Sequence, residues 1–131
     1  MIKKMALTTP REGFVSITKE VRKYVEDSRM ESGICLVYSP HTTAGITINE
    51  NADPDVIHDL LLGLDTAFPE DNRYEHAEGN STAHLKASAM GSSVMVPIQS
   101  HALVLGIWQD IYFCEFDGPR QRCFYCKIME G

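Results

Sequence analysis

The sequence has no excess of basic residues and no long apolar run. Its 12 Lys and Arg residues are outnumbered by 18 Asp and Glu residues, which gives a formal net charge of −6 at pH 7. Non-specific binding to nucleic acid needs a basic excess, so neither nucleic acid nor an anionic membrane is an expected partner. No stretch approaches the roughly 18 consecutive apolar residues of a transmembrane helix. An anionic ligand must therefore be held by a local cluster of cations.

The length and composition are those of one ordinary globular domain. The chain has 131 residues, of which 44% are hydrophobic and 23% charged, and this length leaves no room for a second domain. We therefore assign residues 1–131 to a single domain. The first nine residues contain two lysines but become polar too soon for a signal peptide, which predicts a cytoplasmic protein.

The four cysteines do not indicate a disulfide framework. Cys35 and Cys114 stand singly in apolar runs and are typical of small core residues. Cys123 and Cys126 form a C-x-x-C pair, a spacing that also occurs in zinc and redox sites. The pair lies in a strand-like run, where positions i and i+3 face opposite sides of a sheet. A structural interpretation is therefore favoured over a zinc or redox site.

The local patterns predict an α+β domain with a largely antiparallel sheet. The first helix runs from an N-cap at Thr18 to about residue 28. The second has Asp53 as N-cap, Pro54 at its first position, and an end at Gly63. A short third helix is capped by Ser81 and ends near residue 90. Strands are predicted over 2–9, 33–38, 45–50, 93–98, 102–116 with a bend at residue 106, and 120–128.

Three of the five histidines indicate a metal site. His41 follows a predicted strand, His76 lies in a polar loop, and His84 lies near the start of the third helix. Such positions can converge, and three imidazoles with one open position are a usual zinc site. His58 on the second helix is expected to have a solvated or half-buried structural role, and His101 in a predicted hairpin turn is expected to be exposed, so both lie outside the predicted site.

Carboxylates and cations near these motifs are further candidates. Glu50 follows the apolar Ile48 by two residues, which places both on the same side of a strand, and a general base or a metal ligand is one interpretation of it. Lys86, Arg120 and Arg122 are candidates for binding an anion. Arg120 directly follows an Asp-Gly-Pro turn, from which a guanidinium can hold a phosphate in a bidentate contact. A surface ion pair is the alternative interpretation of Arg120.

Several motifs in order resemble one known family. They are His41-Thr42-Thr43-Ala44, Asn49-Glu50-Asn51, Asp53-Pro54-Asp55-Val56, Asn80-Ser81-Thr82-Ala83-His84-Leu85, Gly91-Ser92-Ser93, Leu105-Gly106-Ile107-Trp108-Gln109 and Glu115-Phe116-Asp117-Gly118-Pro119-Arg120. Together they resemble the YjbQ-like family, which is often described as secondary thiamine-phosphate synthases. The resemblance spans nearly the whole chain.

The resemblance implies an architecture and a set of site residues. The expected fold is an α+β domain with a seven-stranded β-sandwich and about three helices. The expected assembly is a homotrimer whose sheets pack around the threefold axis. The implied cleft lies either within one chain or at the subunit interface. The positions carried over from the family are His41, Glu50, His76, His84 and Arg120.

The resemblance also implies an activity. The expected reaction joins a hydroxymethylpyrimidine diphosphate to a thiazole phosphate and releases pyrophosphate. His41, His76 and His84 are expected to bind a divalent metal, with zinc preferred and magnesium an alternative for a diphosphate substrate. Glu50 and Arg120 are the expected catalytic residues, and Arg120 and Lys86 the expected phosphate ligands. A metal-dependent hydrolase and a non-catalytic trimeric module that binds a metal or a small anion remain alternatives.

Overall fold

The structure is a computed structural model that describes residues 1–131 and contains eight strands and three helices. The α+β fold class is confirmed. In chain order the elements are β1 (Ile2–Thr8), β2 (Gly13–Ser16), α1 (Thr18–Ser28), β3 (Gly33–Tyr38), β4 (Ala44–Glu50), α2 (Pro54–Ala67), α3 (Ser81–Met90), β5 (Ser93–Gln99), β6 (Ala102–Leu103), β7 (Gln109–Glu115) and β8 (Gln121–Glu130).

The strands form two antiparallel sheets. The first sheet has five strands in the order β1-β8-β3-β5-β6, and the second has three in the order β2-β7-β4. In the first sheet, Val37 pairs with Cys126 and Cys35 with Val96, and all four side chains are buried. In the second sheet, Ile46 pairs with Phe113, and both are fully buried. These buried side chains point from each sheet toward the other, because side chains two residues apart on a strand share one face.

Two clusters of buried side chains hold three layers together. The larger cluster lies between the inner faces of the two sheets and includes Val21 and Val25 of α1. The smaller cluster lies on the other face of the second sheet, against α2 and α3. Its members are Leu64, Ala83, Ala87, Tyr112, Cys114 and Phe116. The second sheet is therefore covered on both faces, whereas the first sheet is covered on one.

The structure has eight strands, whereas the resemblance implied seven and the local patterns predicted six. The predicted strand over 102–116 divides into the two-residue β6 and the longer β7. Between them, the Gly106 N–H donates to Gln109 Oε1 at 2.7 Å, which forms a tight turn where pairing would otherwise continue. The short strand β2 has only four residues, too few for a clear alternating pattern, and was not predicted.

The helix boundaries correct three predictions. Thr18 is the first helical residue and not the N-cap, because its hydroxyl is engaged with β7, where it accepts from the Ile111 N–H at 2.8 Å. The second helix continues through Gly63 to Ala67. Asn80, and not Ser81, is the N-cap of α3. Asp53 is confirmed as a cap, since its carboxylate accepts from the Asp55 N–H at 2.9 Å.

The C-x-x-C pair occupies opposite faces of β8, as its spacing predicted. Cys126 is fully buried in the main core, and Cys123 is half-buried on the other side. None of the three helices combines the length and apolar character needed to span a bilayer.

Candidate functional site

Four of the predicted site residues line one pocket, which we call the histidine pocket. Its volume is about 380 Å³. It lies where the loop after β3, the loop before α3 and the turn between β7 and β8 meet. The lining residues are Pro40, His41, Thr42, Thr43, His76, Glu78, Asn80, His84, Asp117, Arg120 and Arg122. His41, His76 and His84, which were predicted to converge, therefore line the same pocket.

His41 is held against β8 by the backbone of Cys123. Its Nε2 lies 3.1 Å from both the N–H nitrogen and the carbonyl oxygen of Cys123. Burial, followed by the nearby Arg122 charge, holds the pKa of His41 below its usual value. The ring is therefore neutral at neutral pH. When Nε2 accepts the Cys123 N–H, the proton resides on Nδ1.

His76 and His84 contact one another across the pocket wall. Their ring centroids lie 5.2 Å apart in an edge-to-face arrangement. No group of three or more His, Cys, Asp and Glu side chains is placed to hold a metal ion. The three imidazoles therefore do not fit a zinc ligand set as the chain stands, because His41 Nε2 is bonded to Cys123 while the other two rings face each other. The zinc site stays a prediction that this arrangement does not support.

Arg120 is fixed at the rim of the pocket by the turn that precedes it. Its Nε donates to the Asp117 carbonyl at 2.7 Å, and its Nη2 donates to Asp117 Oδ2 at 3.1 Å. The Arg120 N–H donates to the Thr9 hydroxyl at 3.2 Å. These contacts leave Nη1 without a partner in the chain, on a side chain that is about half exposed.

Arg122 supplies a second guanidinium to the pocket. It was a candidate for binding an anion but was not among the predicted phosphate ligands. Its Nε donates to Glu115 Oε1 at 2.7 Å, and its Nη2 donates to Glu115 Oε2 at 2.6 Å and to the Thr43 hydroxyl at 2.8 Å. Both side chains of the Arg122–Glu115 pair are buried. As with Arg120, Nη1 makes no hydrogen bond within the chain. Alternation along β8 places Arg122 inward with Phe124, and that pattern was a usable signal.

Glu115 connects this ion pair to the Arg120 turn. Its Oε1 also accepts from the Thr9 hydroxyl at 2.6 Å, and its Oε2 accepts from the Asp117 N–H at 2.9 Å. Burial opposes its ionisation, but the hydrogen bonds from Arg122 and Thr9 outweigh burial and lower the pKa of Glu115. An ionised, fully satisfied carboxylate therefore holds both arginine-bearing segments in place.

Glu50 does not lie in the histidine pocket. It is the last residue of β4, whereas His41 precedes the first, and the seven-residue strand separates them by about 20 Å. Its carbonyl accepts from the Tyr112 hydroxyl at 3.0 Å. Burial, followed by the Asp110 and Glu50 charges, raises the pKa of Tyr112 to about 12. The catalytic role predicted for Glu50 is therefore not supported within one chain.

Lys86 also lies outside the histidine pocket. Its buried ammonium donates to Asp65 and, at 3.3 Å, to Glu12, in a neighbouring cavity of about 480 Å³. Burial opposes protonation of Lys86, but the hydrogen bonds to Asp65 and Glu12 outweigh burial and raise its pKa. Two carboxylates already neutralise Lys86, and it does not line the histidine pocket, so its role as a phosphate ligand stays a prediction that this placement does not support.

Asn80 and Asp117 form the wall between these two cavities and were missed by the sequence analysis. The Asn80 amide donates to Asp117 Oδ2 at 2.9 Å, while Asn80 Oδ1 is buried without a partner. Both residues lie in motifs already noted, but Asn80 was given no role there and Asp117 was interpreted only as part of a turn. His58 and His101 are exposed and outside the pocket, as predicted.

Comparison with known proteins was consistent across sequences and structures. A family model described as UPF0047 protein YjbQ-like matches residues 3–131. The chain is 50% identical over 123 residues to UPF0047 protein YugU of Bacillus subtilis, covering 93% of each chain. It is 48% identical to a UPF0047 protein of Methanocaldococcus jannaschii, covering 93% of this chain and 88% of that one.

Solved structures agree with the fold. A crystal structure of an uncharacterised conserved protein of the YjbQ/UPF0047 family from Clostridium acetobutylicum superposes with a TM-score of 0.94 at 52% identity, covering 97% of this chain and 99% of that chain. A YbjQ-like protein of unknown function from Sulfolobus solfataricus gives a TM-score of 0.94 at 30% identity, covering 100% and 97%. The chain therefore belongs to the YjbQ-like UPF0047 family.

Proposed function

We propose that the histidine pocket binds the phosphoryl group of a small metabolite, and that the protein is an enzyme of the thiamine-phosphate synthase type. The observation that carries the proposal is the pair of guanidinium groups. Arg120 and Arg122 both line the pocket, and each has an Nη1 with no partner in the chain. Because the protein is acidic overall, such a local pair of cations is what an anionic ligand requires.

The neutral groups of the pocket complement these cations. Thr42 and Thr43 offer hydroxyl groups, and the His41 ring offers an N–H from Nδ1 when its Nε2 accepts from Cys123. A phosphoryl group has several acceptor oxygens, so it can use all of these donors together. The cavity of about 380 Å³ is large enough for a small phosphorylated metabolite.

The proposed reaction forms a bond from the thiazole ring nitrogen to the methylene carbon of the pyrimidine. The methylene C–O bond breaks, and its electron pair leaves with pyrophosphate. The main demand on the protein is to neutralise charge that develops on the leaving group, and fixed guanidinium groups meet that demand. Glu115 keeps the two arginine-bearing segments in place during this step, since it bonds to Arg122 and to the turn that carries Arg120.

One observation favours a non-catalytic alternative. Glu50, the predicted general base, lies at the far end of β4 from the pocket. A module that binds a small anion without turning it over needs only the arginines and the neutral donors. An assay for turnover of a phosphorylated substrate distinguishes the enzyme from the non-catalytic module.

We also propose that the protein is a cytoplasmic homotrimer. The outer face of the first sheet exposes apolar side chains on three adjacent strands, where Ile34 pairs with Met129 and Leu36 with Met95. Met95 is 63% exposed. A second copy that covers this face would bury an apolar surface that water now contacts.

The test is binding of inorganic phosphate and pyrophosphate by calorimetry, followed by an assay for thiamine phosphate from the two proposed substrates. Arg120→Ala should weaken binding by about 1.5–3 kcal/mol, the range for a hydrogen bond to a charged group. Arg73→Ala is the matched control, because Arg73 pairs with a nearby aspartate in the same way but lies outside the pocket. Equal losses in both variants would contradict phosphate binding, and binding without product would favour the non-catalytic module.

A further inference from the structure

A second cleft lies at the other end of β4 from the histidine pocket. It separates α1 from the loop that carries Ile107 and Trp108, and its volume is about 840 Å³. Neither Glu50 nor any histidine lines it. We refer to it as the tryptophan cleft, and nothing in the proposed reaction uses it.

The indole of Trp108 is presented on a rigid loop. The Gly106 N–H donates to Gln109 Oε1 at 2.7 Å, and the Gln109 N–H donates to the Gly106 carbonyl at 3.0 Å. The Trp108 carbonyl accepts from the Asn51 N–H at 3.0 Å. The side chain is nevertheless 59% exposed. An exposed indole on a hydrogen-bonded loop is a stacking surface for a planar ring.

Asp110 provides an acceptor with an unmet hydrogen bond. The residue lines the cleft and is only 5% exposed. Its Oδ1 accepts from the Thr18 hydroxyl, whereas its Oδ2 is buried without a partner. No Lys, Arg or His forms an ion pair with it. A buried carboxylate oxygen in this state favours a ligand that supplies an N–H donor.

Two cations that form no ion pair line the same cleft as Asp110. Lys19 and Arg22 lie three residues apart on the exposed side of α1, so they share one face of the helix. The neighbouring Lys23 differs, because it is already paired with Asp27 at 3.0 Å. No side chain caps the N-terminus of α1, which therefore adds its partial positive charge. Glu26 and Asp27 line the same side of the cleft further along α1, so an anion is favoured only toward the N-terminal end of the helix, where Lys19 and Arg22 lie.

We propose that the tryptophan cleft binds a planar nitrogen heterocycle that carries a phosphate, the chemistry of a nucleoside monophosphate. The ring stacks on Trp108 and donates an N–H to Asp110 Oδ2. The phosphate lies toward Lys19 and Arg22. This site is independent of the histidine pocket, since the length of β4 separates the two by about 20 Å.

The test uses the only tryptophan in the chain as a reporter. Intrinsic fluorescence is titrated with the four common nucleoside 5′-monophosphates, and separately with the matching nucleosides and with inorganic phosphate. Saturable quenching by at least one nucleotide is expected, with weaker binding of its nucleoside and no quenching by inorganic phosphate. Absence of saturation up to millimolar nucleotide would overturn the proposal.

The variants locate the contacts. Asp110→Asn should weaken nucleotide and nucleoside binding alike by about tenfold or more, because the free oxygen is lost. Arg22→Gln, an exposed change that leaves the fold intact, should weaken the nucleotide but not the nucleoside. Arg120→Ala should leave quenching unchanged. An Arg22→Gln protein with unaltered nucleotide affinity would overturn the proposal, as would a blue shift of emission that depends on protein concentration alone, because the indole would then be covered by another copy.

Discussion

Arg122 Nη2 lies 2.6 Å from Glu115 Oε2, with both side chains out of solvent. The Arg122 side chain lines the histidine pocket, while Glu115 bonds to the backbone of the turn that leads to Arg120. The ion pair thus joins β7 and β8 at the point where the pocket forms. The stability of the fold and the shape of the pocket depend on the same contact.

Removal of the Glu115 charge should destabilise the protein strongly. In Glu115→Gln the Arg122 charge remains buried without a counter-charge, at a cost of about 3–5 kcal/mol. Urea denaturation followed by circular dichroism measures the free energy of unfolding. Asp27→Asn, which removes only the exposed pair with Lys23, is the control and should change little. A Glu115→Gln protein as stable as the control would show that the pair is not structurally important.

The pKa of His41 should report phosphate binding. Burial and the Arg122 charge hold it below its usual value, so the neutral ring is favoured in the folded state, and the stability from this group falls as pH drops below the usual value. A bound phosphate favours the protonated ring and raises the pKa, so binding takes up a proton. Proton NMR titration with and without phosphate measures the shift. An unchanged midpoint would place the anion away from His41.

Two glycine substitutions should have opposite effects. A Cβ at Gly45 would lie 2.6 Å from the Gly91 carbonyl oxygen, which belongs to the backbone and cannot easily move. Gly45→Ala should therefore destabilise the protein by about 1–3 kcal/mol. A Cβ at Gly63, in the exposed middle of α2, meets nothing within 4 Å, and Gly63→Ala should stabilise by about 0.5–1 kcal/mol. Thermal melts of both variants test the pair, and the same sign in both would refute the packing argument.

Phosphate binding should survive removal of divalent metal. The arginines carry the positive charge of the pocket, and no three of its potential ligands are placed to hold one metal ion. Calorimetry with and without a chelator should give the same affinity, and metal analysis of the purified protein should show well under one zinc per chain. If His84→Ala lost both bound zinc and phosphate affinity while His58→Gln lost neither, the three-histidine zinc site would be correct after all.

The outer face of the first sheet should drive trimer formation. Light scattering at micromolar concentration should give about three chain masses for the unmodified protein. Met95→Glu places a charge on the apolar face and should yield monomers. Leu62→Glu, an equally exposed apolar position on α2, is the control and should leave the trimer intact. If the unmodified protein were a monomer in this measurement, the proposed trimer would be wrong.

Local chemistry made some of these features predictable from the sequence. Asp53-Pro54 specifies a helix start through its own side chain and ring, and Cys123 and Cys126 follow strand alternation. The motif containing His41 likewise placed that residue at a strand end. Such features depend on neighbours within a few residues.

The predictions failed where contacts between distant parts of the chain determine the position or the role of a residue. Alternation placed Glu50 on a face of β4 but carried no information about which end of that strand the pocket occupies. Lys86 was predicted to bind phosphate, but the two carboxylates that neutralise it come from positions 21 and 74 residues away in the chain. The Thr18 hydroxyl bonds to a strand more than 90 residues later, so its apparent capping role was lost. These partners are not visible in the local pattern.

The position of β8 between β1 and β3 has a consequence for how the chain acquires its structure. Ile2 pairs with Lys127, and Gly33 pairs with Glu130. An interior strand of the larger sheet is therefore synthesised after both strands that flank it, and this sheet cannot close until residues 121–130 have been synthesised. Until then β1 and β3 have no partner between them and present open edges to other nascent chains. Because its contacts span most of the chain, this sheet is also expected to form slowly. The protein is therefore most exposed to misassembly during synthesis, when nascent chains are crowded on a polysome.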